Sequence, residues 1–87
     1  MQITVEISFY PLTSYYGTPV IDFVRALKTY EGLQIRTNSM STQVAGPYEE
    51  VMQAIFSVMK KSLSHDLKAA VVLKCFNEKL DLDWIDV

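Results

Sequence analysis

The first part of the chain alternates strictly between apolar and polar side chains. Apolar residues occupy the odd positions from Ile3 to Phe9, and polar residues lie between them. Because successive side chains of a strand point to opposite faces, this period of two predicts a strand over residues 2–10 with one apolar and one polar face. Pro11 lacks a backbone donor and is expected to end the strand.

Two later segments have the spacing of amphipathic helices, with apolar side chains three or four positions apart. Thr18-Pro19 combines a preferred capping residue with proline and is expected to begin the first helix, which runs to Tyr30 and stops at Gly32. Gly46-Pro47 repeats this arrangement before the second helix. The predicted apolar stripes consist of Val20, Ile21, Phe23, Val24 and Leu27 in the first helix and of Val51, Met52, Ile55, Phe56, Met59 and Leu63 in the second.

Three further strands complete the pattern. Alternation predicts a second strand over residues 33–37, a third over 40–45 after a tight connection at Asn38-Ser39, and a fourth over 68–76. The order β-α-β-β-α-β with right-handed crossovers predicts an α+β ferredoxin-like plait, a four-stranded antiparallel sheet with two helices on one face. The first and third strands are expected at the centre. Residues 1–87 are predicted to form this single domain.

The fourth strand is apolar on both faces. Val71 and Leu73 alternate with Val72 and, further on, Phe76. An antiparallel sheet with one bare face should carry polar residues there. The helix-free face is therefore predicted to be covered by another subunit, in a homodimer or homotetramer.

Composition narrows the choice of partners. With 87 residues and an apolar fraction of 49%, the chain can form one core and has surplus apolar surface. A net charge of -2 without a basic run argues against nucleic acid. No membrane partner and no signal peptide are expected, because no apolar run is long enough and the first strand begins at Gln2. The single cysteine, Cys75, fits a cytoplasmic location.

Candidate catalytic groups are few. His65 is the single histidine and is expected in a loop beside Asp66, in a structural or incidental role. Cys75 is expected to pack within the fourth strand as an inert thiol. The three aspartates between Asp81 and Asp86 alternate with apolar residues, which favours the polar edge of a docking segment over a cation site. The sequence therefore predicts no enzyme, no metal site and no cofactor.

Glu6 is the first residue that suggests recognition. It lies in the middle of a predicted central strand, between Thr4 and Ser8 on the polar face. A carboxylate that loses water there needs a hydrogen-bonding partner. Two interpretations remain open: a cross-strand or intersubunit pair with Lys74 or Arg36, and recognition of a nitrogen atom of a ligand.

The polar stretch over residues 37–43 is the second such feature. Turn chemistry accounts for Asn38 and Ser39 without a ligand. Thr42, in contrast, is in phase with the apolar residues Met40 and Val44, and neutral polar groups beside an apolar patch are typical of small-molecule pockets. A pocket and a plain hairpin both fit the pattern.

An aromatic pair precedes the first helix. Tyr15-Tyr16 is expected in the loop over the helix N-termini. These rings could stack on a flat ligand or pack at an interface, and the sequence leaves both open.

Four pieces of sequence together resemble a known family. They are EISFYPL over residues 6–12, NSMSTQV over residues 38–44, GPYEEVM over residues 46–52, and Leu73-Lys74. In this order and spacing the chain is similar to the thiamine-binding protein family of small ferredoxin-like domains, which includes a hydroxymethylpyrimidine- and thiamine-binding protein. The resemblance covers nearly the whole chain.

The resemblance implies an oligomeric plait that binds the pyrimidine of thiamine or of a precursor. Glu6 matches the acidic position on the family's first strand, and Thr42 matches its threonine on the third. The chain also departs from the family: Ser41 replaces a frequent glycine, Ala45 replaces a frequent glutamate, and the ending differs past Lys74. These departures imply that the ligand could differ.

The expected function is non-catalytic binding of thiamine or a related hydroxymethylpyrimidine compound, as carrier, buffer or sensor. The alternative is a structural or regulatory homo-oligomerisation module without a small ligand. The predicted ligand-binding residues are Glu6, Ser8, Tyr10, Asn38, Ser39, Thr42 and Gln43.

Overall fold

The computed structural model describes residues 1–14, 17–64 and 68–86. The predicted roles of Tyr15-Tyr16 and of His65 beside Asp66 lie outside these residues. The strands and helices are β1 (Gln2–Pro11), α1 (Gly17–Leu27), β2 (Gln34–Thr37), β3 (Thr42–Pro47), α2 (Tyr48–Leu63) and β4 (Ala69–Phe76).

The four strands form one antiparallel sheet in the order β2-β3-β1-β4. β1 and β3 are central, as predicted, and both helices pack on one face of the sheet, mainly over these two strands. This architecture confirms the predicted α+β ferredoxin-like plait. The opposite face of the sheet has no helix over it, and we call it the open face.

The core lies between the sheet and the helices. Because side chains alternate along β1, Ile3, Val5 and Ile7 point to the helix side of the sheet, where each is at most 1% exposed. Complete burial of one such side chain contributes about 1.5–3 kcal/mol to stability. The side chains that pack against them from β3, α1 and α2 include Val44, Phe23, Leu27, Val51 and Ile55.

The start of α2 differs from the prediction by one residue. Pro47 ends β3 and precedes the helix, so it occupies the capping position and provides no side-chain cap. Instead, the backbone N–H of Tyr48 donates to the carbonyl of Met1 at 2.9 Å, which satisfies one of the free donors of the first turn. Gly46 is a buried strand residue, and an added Cβ would lie 2.9 Å from Leu33 Cδ2.

The helices also differ in extent and in the faces that they bury. α1 ends at Leu27, three residues before the predicted end. In α2 the buried positions include Ala54 and Val58, whereas Phe56 and Leu63 are exposed because they point away from the sheet. Within the described ranges, neither helix has the length and apolar character that crossing a membrane requires.

The hairpin between β2 and β3 is longer than predicted. The backbone N–H of Asn38 donates to the carbonyl of Ser41 at 3.1 Å. The Asn38 side-chain carbonyl accepts from the backbone N–H groups of Met40 at 2.8 Å and Ser41 at 3.3 Å. These bonds close a turn over residues 38–41, so β3 begins at Thr42 and not at Met40.

The segment that follows β4 crosses the open face. We call residues 78–86 the strap. Thr4 anchors it from the middle of β1: its hydroxyl donates to the carbonyl of Glu78 at 2.8 Å and accepts from the backbone N–H of Leu80 at 2.8 Å. Thr4 is consequently only 5% exposed, although it points away from the core.

The strap covers part of the face that the sequence analysis assigned to another subunit. Arg36 on β2 pairs with Asp83 of the strap at 3.0 Å, and Ala45 on β3 is fully buried on this side of the sheet. This part of the face is covered by the chain's own strap, and cover of the remaining part by another subunit stays a prediction. Val72 and Phe76 on β4 remain 58% and 48% exposed.

We predict that Thr4→Val releases the strap. The variant keeps the shape of the side chain but removes two hydrogen bonds, so we expect the free energy of unfolding to fall by about 1–2 kcal/mol. Hydrogen exchange at the Leu80 amide should accelerate. The control is Thr29→Val, just beyond α1, which removes a hydroxyl that donates to the Ala26 carbonyl; it should leave exchange at Leu80 unchanged. Unaltered exchange at Leu80 in Thr4→Val would contradict this anchoring role.

Candidate functional site

A cleft in the described structure results from the unequal lengths of the strands. β3 begins at Thr42, which lies opposite Ile7. Residues 8–11 of β1 continue beyond this point and pair with β4 on their other side. The space beside them is bounded by the turn over residues 38–41 and by the first turns of α1, and its volume is about 680 Å³. We call this space the cleft.

The walls of the cleft are mainly apolar. Phe9 and Phe23 stack with their ring centroids 5.0 Å apart and their planes nearly parallel. Val20 and Ile21 line the cleft from α1, and Ile21 is half exposed there. A flat apolar ring would gain both contact area and aromatic neighbours in this position.

One end of the cleft is polar. The hydroxyl groups of Thr37 and Thr42 lie 2.8 Å apart, and Thr37 also donates to the carbonyl of Ser41 at 3.4 Å. Thr42 points to the helix side together with Val44 and is 5% exposed, which confirms its predicted apolar phase. Met40 was expected to share this phase, but it lies in the turn and is 83% exposed.

A second polar group lies on the open face around Glu6. In the register, Glu6 is opposite Gln43 on one side and Lys74 on the other. Its carboxylate accepts from the Ser41 hydroxyl at 2.8 Å and from the Lys74 ammonium at 3.2 Å. The amide of Gln43 donates to the same Ser41 hydroxyl at 2.8 Å. Of the two interpretations of Glu6, the cross-strand pair with Lys74 is the one observed, while Arg36 pairs with the strap.

Electrostatics keeps Glu6 ionised. The hydrogen bond from Ser41, followed by that from Lys74, holds the pKa of Glu6 below its ordinary value of 4.5, and partial desolvation opposes this only in part. A side chain that is 41% exposed remains well solvated, so the pair with Lys74 contributes modestly to stability.

The sheet divides the predicted ligand-binding residues into two groups. Glu6 and Gln43 point to the open face and line a second groove of about 480 Å³ beneath the strap. Thr42 points to the helix side, so Glu6 and Thr42 cannot contact one small ligand from the same side of the sheet. The five predicted residues that line the cleft are Ser8, Tyr10, Asn38, Ser39 and Thr42.

Sequence reasoning missed several residues of the cleft. Ile21 was assigned to the core stripe of the first helix, and Thr37 was noted only as part of a polar stretch. Ser41 appeared as a departure from the family and not as a link between the cleft and Glu6. Thr37 and Thr42 are polar positions of one hairpin that are in phase. This pattern indicates that their side chains lie together, because paired strands bring such positions into contact.

Other candidate groups do not form a site in the described residues. Cys75 was expected to be packed, but it is exposed, because the helices lie mainly over β1 and β3 and not over the edge strand β4. Asp83 pairs with Arg36, and its N–H donates to Asp81 at 3.0 Å, so these aspartates lie along the polar edge of the strap. Residues 1–14, 17–64 and 68–86 contain no cluster of side chains that could hold a metal ion.

Comparison with known proteins gives structural likeness only. No family model matches the sequence, and no curated protein matches it either. A hypothetical protein from Methanocaldococcus jannascii has a TM-score of 0.76 at 24% identity, over 97% of this chain and 88% of that protein. A Thermotoga maritima protein provisionally assigned to thiamine biosynthesis or salvage has a TM-score of 0.73 at 17% identity, over 94% and 91%. A Bacillus cereus domain of unknown function, DUF77, has a TM-score of 0.68 at 14% identity, over 91% and 78%.

These likenesses show the fold. The three structures share the α+β plait with this chain over most of its length, and none of them carries a named catalytic activity. Because one fold supports many functions, the ligand has to be argued from the site.

We predict that Glu6 contributes to the pH dependence of stability. Because its pKa is lowered by folding, its contribution is present above about pH 4.5 and is lost as the pH falls through the lower, folded value. Thermal unfolding of Glu6→Gln between pH 6 and pH 3 should therefore show a smaller loss of stability than the wild type. Ser41→Ala, which removes the largest cause of the shift, should reproduce part of this change. Parallel profiles for Glu6→Gln and the wild type would contradict the assignment.

Proposed function

We propose that this protein is a non-catalytic binder of thiamine or a related hydroxymethylpyrimidine compound and acts as a carrier, buffer or sensor. The observation that carries the proposal is the cleft. Its volume of about 680 Å³ lies within the roughly 300–1,000 Å³ of small-molecule sites. Its apolar walls and single polar end match the composition of such sites.

The shape of the ligand follows from the lining of the cleft. A pyrimidine ring can lie against the wall that contains Phe9, with its heteroatoms directed to Thr37 and Thr42. The thiazolium of thiamine is a cation, which suits the faces of aromatic rings and a protein of net charge -2.

Binding is favoured over catalysis by the chemistry of the lining. General acid–base catalysis uses a group whose pKa lies near the working pH. Among the described residues that line the cleft, the phenol of Tyr10 is the sole ionisable side chain. The other polar groups are hydroxyls and an amide, which hold a ligand but do not exchange protons with it readily.

The resemblance to the thiamine-binding family gives independent support for the ligand class. The provisional assignment of the Thermotoga maritima protein to thiamine biosynthesis or salvage also fits a thiamine-related role. Ser41 and Ala45 are two of the positions at which the chain departs from the family. Ser41 lies at the polar end of the cleft and Ala45 lies beneath the strap, so neither residue forms part of the aromatic walls.

We predict that a ligand of this class stabilises the fold strongly. At a hundredfold excess over its Kd, a ligand that binds only the folded state adds about 2.7 kcal/mol. Since each kcal/mol raises the Tm of a small domain by roughly 4–8 °C, the expected rise is about 10 °C or more. Thiamine, its phosphates and hydroxymethylpyrimidine should be compared with an unrelated aromatic cation at fixed protein concentration.

Two variants locate the binding in this test. Ile21→Trp enlarges a side chain that lines the cleft and should abolish the rise in Tm. Phe56→Trp adds an indole at an exposed position of α2 outside the cleft and should retain it. The absence of a shift with every compound, in protein shown to be free of retained ligand, would refute the proposed function.

A second candidate, a homo-oligomerisation module, is favoured by the exposed apolar side chains Val72 and Phe76 on β4. If subunits associate through this part of the open face, Val72→Lys combined with Phe76→Glu should shift the population to smaller species in sedimentation experiments. Phe56→Glu combined with Leu63→Lys adds the same charges to α2 and should not. A wild-type monomer at micromolar concentration would exclude this candidate.

A further inference from the structure

We propose that an apolar rim at the opening of the cleft, formed by Leu12, Ile21 and Met40, holds a second ring of the ligand. The protein then prefers two-ring compounds such as thiamine over a bare hydroxymethylpyrimidine. The inference rests on the proposed function and specifies the class of ligand that the same cleft takes.

Exposure places these three side chains at the opening. Leu12, Ile21 and Met40 all line the cleft, and they are 69%, 50% and 83% exposed. A side chain that lines a cleft and also contacts solvent lies at its opening. The three belong to different segments of the chain, namely the residue after β1, helix α1 and the turn before β3, so apolar surface borders the opening on more than one side.

The backbone holds the rim in place. The N–H of Leu12 donates to the carbonyl of Lys68 at 2.8 Å, and the N–H of Met40 donates to the side-chain carbonyl of Asn38 at 2.8 Å. Ile21 lies within α1. Because the backbone at all three positions is already ordered, a ligand that covers these side chains loses little affinity to the ordering of the chain.

The volume of the cleft exceeds what a single ring needs. Sites of about 680 Å³ take drug-sized ligands, whereas hydroxymethylpyrimidine is one six-membered ring with small substituents. Such a ring fits the floor of the cleft, where Phe23 and Thr42 are almost fully buried. It would leave the rim in water, and exposed apolar side chains gathered around one cleft are typical of a surface that a ligand covers.

The chemistry of the pyrimidine directs a second ring to the rim. Both ring nitrogens flank one carbon, and the carbon opposite to it carries the hydroxymethyl group or the bridge to the thiazolium. When the nitrogens face the hydroxyl groups of Thr37 and Thr42, this substituent points away from them. Since Thr42 lies on the floor, the substituent then extends toward the opening.

The rim suits the surface of an aromatic ring and does not depend on its charge. The thioether of Met40 makes favourable contacts with aromatic rings, and Leu12 and Ile21 add apolar area. Among the described residues that line the cleft there is no acidic or basic side chain, so the preference follows the second ring itself. Removing about 55 Å² of apolar surface from water corresponds to roughly a tenfold gain in affinity.

The test measures three affinities by calorimetry on the full chain: those of thiamine, of hydroxymethylpyrimidine and of 4-amino-5-benzyl-2-methylpyrimidine, a neutral two-ring compound. For the wild type we expect both two-ring compounds to bind about tenfold more tightly than hydroxymethylpyrimidine. Leu12→Ser combined with Met40→Ser should lose more affinity for the two-ring compounds than for the single ring, so that the ratio falls toward one. The matched control is Phe56→Ser combined with Leu63→Ser, which removes two exposed apolar side chains from α2 outside the cleft and should keep the wild-type ratio.

The ratio of affinities separates this inference from the proposed function. Equal wild-type affinity for single-ring and two-ring compounds, or a wild-type ratio in the rim variant, would overturn the inference and leave the proposed function standing. A preference for thiamine that the benzyl compound does not share would assign the effect to charge and likewise overturn the role of the rim. Dissociation of an oligomer by the rim variant, with an unchanged ratio, would assign these side chains to a contact between copies instead. If none of the three compounds bound, the proposed function would fail, and this inference with it.

Discussion

The register between β1 and β3 is the constraint on which the rest of the structure depends. Pairing ends where Ile7 meets Thr42, because the side chain of Asn38 holds residues 38–41 in a turn that delays the start of β3. β1 continues to Pro11 against β4. The gap beside its last residues becomes the cleft, which α1 closes with apolar side chains. A hairpin with a two-residue turn would have extended β3 and filled this space.

Strand alternation also explains why two polar groups exist instead of one. Neighbouring positions of a strand face opposite sides of the sheet, so Glu6 and Thr42 are separated by the sheet although their backbones lie close together. Ser41 lies at the end of the strand, where the sheet no longer separates the two sides. It lines the cleft and donates to Glu6, and thereby joins a charged group on the open face to a neutral site.

The strap covers part of the open face. A small α+β plait with a bare sheet needs cover for its apolar atoms, and this chain supplies part of that cover itself through Thr4 and the pair of Arg36 with Asp83. The region of β4 around Val72 and Phe76 stays exposed on the open face. Asp83 of the strap pairs with Arg36 on the open face, and the acidic residues of the strap form no metal cluster with other described residues.

The sequence by itself determined the order of strands and helices, the strand order of the sheet and the core face of β1, because these follow from local periodicity and the handedness of connections. Five of the residues that it predicts as ligand-binding line the cleft, two of them on β1 and three in the hairpin and at the start of β3. Only the tertiary structure decided that Glu6 pairs with Lys74 and Ser41, that Ile21 faces a ligand-sized space, and that the strap is bound to Thr4. These contacts join residues 35 to 76 positions apart or depend on where a partner strand ends. Periodicity shows which side of its own strand or helix a residue occupies. It carries no information about which distant residues of the chain pack against that side.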